Sequence, residues 1–112
     1  MTDFAFLSAH SFLKVPMGPP DPVDRPFGLA GIAWDGSVTN RPGARMAPRA
    51  IREASHMLCD GTHPLFDVSP ADTLCDLGDL PLPNTSLEGM RAAMQPQVAT
   101  LLAQQRHMVW LG

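Results

Sequence analysis

Three short apolar runs separated by two stretches of helical periodicity constrain this chain more than anything else in it. "FGLAGIAW" (27–34) is bounded by Gly28 and by Asp35-Gly36 and reads as a buried strand. "APRAIREASHML" (47–58) follows, with Pro48 suited to the first helical position and an end expected near 59–61. Ile51, Ala54, Met57 and Leu58 fall on one face of that helix, which is expected to turn inward, with Arg49, Arg52 and Glu53 elsewhere. "TLCDLGDL" (73–80) is a second strand. A longer helical pattern runs from Ser86 to Gln105, with Leu87, Met90, Met94, Val98, Leu101 and Leu102 as its core stripe. Thr85 and Glu88 form a capping-box signature, and Pro96 predicts a kink or break near 92–95. "HMVWLG" (107–112) is a third strand. This order predicts an α/β fold of parallel strands joined by right-handed crossovers.

Before the first strand, five prolines lie between Pro16 and Pro26, which predicts an extended arm over residues 1–26 and a domain over 27–112. At 112 residues, 45% hydrophobic and 17% charged, the chain suits one globular domain. A formal charge of -3 argues against nucleic acid. There is no run of eighteen apolar residues, and the acidic start lacks a signal-peptide pattern. A cytoplasmic chain that meets no membrane is expected. Two cysteines make no disulfide framework.

In open parallel sheets ligands bind just beyond the carboxyl ends of the strands. The candidate chemistry there begins with "RPGARMAPRAIR" (41–52), which holds four of the eight basic residues. It matches no phosphate-loop fingerprint, so the arginines are expected to tie a loop to carboxylates such as Asp35 or Asp79. Arg49 and Arg52 are expected to be solvated, or to pair with Glu53 or Asp60. Asp76 and Asp79 at a strand tip could bind a metal, support a ligand's surroundings, or accept backbone N–H groups. His56, Cys59, His63 and Cys75 could form a zinc site in a structural module, although no C-x2-C pair is present.

"GIAWDGSVTNRPGARMAPRAIREAS" resembles the N-terminal signature of the agmatinase branch of the arginase (ureohydrolase) family. The matches are Gly31, Ile32, Trp34, Asp35, Arg41, Pro42, Gly43, Ala44, Arg45, Pro48, Ala50, Ile51, Arg52 and Ser55. "FLKVP" (12–16) is similar to the family's N-terminal arm, "CDLGDL", with Asp79, to its second strand, and "HMVWLG" to the strand entering its first metal motif. Ala33 and Ala47 depart from the usual proline and glycine.

The resemblance implies the N-terminal portion of a three-layer α/β/α fold. It also implies hydrolysis of a small guanidino substrate, agmatine or guanidinobutyrate or similar, to an amine and urea. In the family two manganese ions hold a bridging hydroxide. Their ligands come from Gly-Gly-Asp-His, Asp-Ala-His-x-Asp and Asp-x-Asp segments, none of which occurs in this sequence, and His56 and His107 match no ligand position. By resemblance, the 41–45 loop shapes the pocket mouth and subunit contacts of a homo-oligomer. The 112-residue chain is therefore expected to hold neither catalytic nor manganese-ligating residues, to be inactive alone, and to continue after 112. A non-catalytic ureohydrolase-like module that pairs with a longer subunit is the alternative.

Overall fold

The computed structural model describes residues 10–18, 24–36, 42–58 and 61–112. Its elements are β1 (Phe27–Gly31), α1 (Ala47–Ser55), β2 (Leu74–Asp79), α2 (Leu87–Ala103) and β3 (His107–Leu111). Short 3-10 turns lie at Phe12–Lys14, Ala44–Met46, His56–Leu58 and Pro70–Asp72. The strands form one open parallel sheet in the order β2-β1-β3. Alternating helices and parallel strands are what the periodicity predicts. No helix among the described residues is long and apolar enough to cross a membrane.

β1 is shorter than its apolar run. Ile32 N still donates to Leu111 O at 2.6 Å, but Trp34 N turns back to Ile32 O at 3.0 Å, so the chain leaves the ladder before Asp35.

Two small cores flank the sheet. On one face Leu29 and Leu74 pack with Leu13 and Val15 of the N-terminal segment. On the other, Leu80, Leu82 and Met90 are buried with Ile32, Trp34, Met94, Val98, Leu101 and Trp110 around them. The N-terminal segment also bonds β2: Asp76 N donates to Pro16 O, Gly18 N donates to Asp76 O, and Met17 pairs with Asp76. Leu13 and Lys14 adopt φ of 50° and 58°, a conformation costing about 1 kcal/mol or more per residue. Burial of Leu13 and its N–H bond to Ser55 Oγ at 2.8 Å help hold it there.

Helix α1 reverses the expected polarity. Its buried residues are Pro48, Arg52 and Ser55, whereas Ile51, Ala54, Met57 and Leu58 are exposed. The apolar spacing was a sound guide to one face of the helix but not to its direction, because the arginine's carboxylate partners lie on the sheet. A 3-10 turn precedes α1, so Ala47 is the first helical residue, Pro48 the second, and Met46 the cap.

Helix α2 starts one residue after the expected capping box. Ser86 is the cap, its Oγ accepting from Gly89 N at 3.0 Å. The helix runs unbroken through Pro96. Around the proline, Gln97 Nε2 donates to Ala93 O at 2.8 Å and to Pro81 O at 3.0 Å, and Thr100 Oγ1 donates to Pro96 O at 2.9 Å. Leu87 and Leu102 lie outside the core stripe and are exposed.

Candidate functional site

The sheet's carboxyl end is organised by two arginine–carboxylate centres. The first closes the loop after β1. Asp35 Oδ2 accepts from Gly43 N at 2.6 Å and Arg45 N at 3.2 Å, while Oδ1 accepts from Arg45 Nε at 2.8 Å and Nη2 at 2.6 Å. Hydrogen bonding from Arg45 holds the Asp35 carboxyl at about 2, against the opposing effect of burial, with the Gly43 and Arg45 amides assisting. Gly43 has φ +139°, and no described residue lies within 4 Å of where a side chain would begin, so it is the backbone conformation that favours glycine here. Pro42 is exposed beside it, and Arg41 lies outside the described residues.

The second centre is Arg52, whose side chain is 0% exposed. Nε donates to Asp76 Oδ2 at 2.8 Å and Nη2 to Asp76 Oδ1 at 2.9 Å, a bidentate fork, and Nη1 donates to Asp79 Oδ1. Burial alone would lower the Arg52 pKa, but the two carboxylates outweigh it and raise it. Asp76 also accepts from Phe12 N at 2.8 Å and Gly78 N at 2.9 Å. Ser55 Oγ donates to Arg52 O at 2.6 Å and accepts from Leu13 N, joining α1 to the N-terminal segment. The expectation that Arg52 is solvated or paired with Glu53 or Asp60 is therefore corrected; it is Arg49 that bonds Glu53, at 3.1 Å.

A bulge makes the double pairing possible. Residues three apart on a regular strand point to opposite faces. Leu29 pairs with Asp76, yet Gly31 pairs with Asp79, so β2 carries one extra residue there. Gly78 occupies the bulge at φ +79°, and the extra residue turns Asp79 to the same side as Asp76. Opposite, a Cβ on Gly31 would overlap the Asp79 carboxylate and meet Pro48 Cβ at 2.9 Å. The glycine between the two aspartates was the one sequence signal of this arrangement.

These strand-tip carboxylates are already engaged by guanidinium groups, and they make a poor donor set for manganese. Among the described residues no group of three or more His, Cys, Asp or Glu could hold a metal. The zinc arrangement is not assembled by its described members. His56 Nε2 contacts Ser11 O at 2.8 Å, and His63 Nδ1 accepts from Leu65 N and Phe66 N. Cys75 is buried in the sheet, where desolvation raises its pKa and suppresses thiolate chemistry; Cys59 lies outside the described residues.

Residues 25–112 match the model of the arginase family. A guanidinopropionase from Pseudomonas aeruginosa is 36% identical over 89 residues, covering 77% of this chain and 27% of that protein. A formimidoylglutamase from Halobacterium salinarum is 37% identical over 81 residues, covering 72% of this chain and 26% of that protein. The crystal structure of a candidate agmatinase from Clostridium difficile superposes with a TM-score of 0.69 at 25% identity, over 79% of this chain and 32% of that one. The chain thus spans about a quarter of the length of these curated relatives.

Proposed function

The chain belongs to the arginase family, and from that premise we propose that it supplies the N-terminal part of the scaffold of an agmatinase-like amidinohydrolase. The proposed reaction is the manganese-dependent release of urea from a small guanidino compound, with agmatine and guanidinobutyrate as substrate candidates. The observation that carries this reading is the family match over residues 25–112. The relatives' names support the class of reaction, since guanidinopropionase, formimidoylglutamase and agmatinase all denote attack on an amidine-type carbon.

Within that activity, the residues of this chain act as a frame. Arg52 fixes α1 against the tip of β2, and Asp35 closes the following loop around Gly43 and Arg45. Both centres lie where a parallel sheet presents its ligand site. In the family reaction, two manganese ions activate the attacking water. Here the carboxylates bond arginine, so no reaction step is assigned to them.

The test has two arms. The 112-residue protein with Mn²⁺ and agmatine or guanidinobutyrate should release no urea. A chimera in which residues 25–112 replace the matching part of the Pseudomonas guanidinopropionase should release urea from guanidinopropionate, and Arg52→Met should abolish this. Turnover by the isolated chain would refute the scaffold assignment, and a folded but inert chimera would refute the enzymatic one.

A further inference from the structure

Residues 10–18 run along the outer edge of β2 beside the end of α1, and most of their bonds converge on one residue. Asp76 N donates to Pro16 O and Gly18 N to Asp76 O, both at 3.0 Å, and Phe12 N donates to Asp76 Oδ2 at 2.8 Å. Leu13 N donates to Ser55 Oγ and His56 Nε2 contacts Ser11 O, each at 2.8 Å, which ties the same segment to α1. The segment therefore lies against the carboxylate that holds Arg52. What keeps it there is slight. Within it only Leu13 and Val15 are buried, packed on Leu29 and Leu74. Against that stand two consecutive left-handed residues, Leu13 and Lys14, and Lys14 is exposed, so no burial offsets its conformation. β1, by contrast, is paired with a strand on each side. A segment with few buried side chains and a strained backbone opens at lower cost than the structure as a whole.

We infer that residues 10–18 form a strained strap that lifts off β2 and α1 as one unit while the sheet stays folded. Closed, the strap covers the outer edge of β2, whose backbone groups would otherwise stand unpaired. Open, it bares that edge at Asp76 and frees one donor from the Asp76 carboxylate, which keeps its Arg52 fork and its bond from Gly78 N. The inference is independent of the enzymatic reading, and its test measures opening alone.

Hydrogen exchange of the 112-residue protein in low urea tests it. The amides of Phe12, Leu13, Val15 and Gly18 should exchange as one set, on the order of 100-fold faster than those of Leu29 and Ala30 in β1. Asp76 belongs to the fast set although it lies within a strand, because its amide bonds the strap. Cys75 and Leu77, whose amides alternation aims at β1, belong to the slow set. Two variants separate the strap from the sheet. Met90→Ala, in the core beneath α2, weakens the open and closed forms alike. It should speed the slow set by about tenfold or more and leave the fast set within about twofold. Lys14→Val places a β-branched residue in the left-handed region and weakens only the closed form, so both sets should speed by a common factor of about five. Strap amides that exchange at the rate of the slow set overturn the inference. So does Asp76 exchanging with Cys75 and Leu77, Met90→Ala speeding both sets equally, or Lys14→Val leaving the fast set unchanged. A chain without protection at any amide overturns it too, since no closed strap then exists.

Discussion

Arg52 is the residue on which the carboxyl end of the sheet depends. Removing one partner of a buried ion pair leaves the other charge unpaired, which costs about 3–5 kcal/mol. Arg52→Met should destabilise the chain by that amount in urea titration. Arg52→Lys should recover little of it, because an ammonium group cannot reproduce the bidentate fork on Asp76 and also reach Asp79. Asp35 makes a different prediction. Its folded pKa of about 2 lies below the ordinary carboxyl value, so its stabilising contribution is complete above about pH 4 and disappears as pH falls through about 2. Tryptophan fluorescence followed through acid titration should show this loss, and Asp35→Asn should remove it. Arg45 was legible as a partner for Asp35 because only the short 36–44 stretch, with turn chemistry in it, separates them. The same reasoning failed for Asp76 and Arg52, since nothing local announces a pairing across a crossover.

At the scale of elements, the sheet and helix types were legible and the faces only partly so. The apolar stripe of α2 meets the core through Met90, Met94, Val98 and Leu101. In α1 the hydrophobic rule gives the wrong inward face, since a guanidinium with two fixed carboxylates can be buried where an isoleucine is left exposed. Pro96 reads as a breaker, but side-chain donors at Gln97 and Thr100 serve nearby carbonyls and the helix continues. The contact between β1 and β2 is testable directly. Gly31→Ala pushes a methyl group into Asp79 and Pro48, both held in place, and should cost about 1–3 kcal/mol in the same urea titration.

For the whole molecule, the sheet is covered unequally. α2 lies over one face, while the other retains a hollow of about 370 Å³ lined by Phe12, Phe27, Leu29, Leu74, Val109 and Leu111. The folded 112-residue chain should therefore enhance the fluorescence of the apolar dye ANS while keeping native near-ultraviolet dichroism, and Val109→Lys should reduce the enhancement. Dye binding that appears only on unfolding would contradict this. The strand margins differ as well. Pro16 and Gly18 occupy the outer rim of β2 at Asp76, and no described segment does the same beyond β3. Among the described residues, a further strand thus finds its berth stoppered on the β2 flank and open on the β3 flank, so the sheet they form can be extended in a single direction.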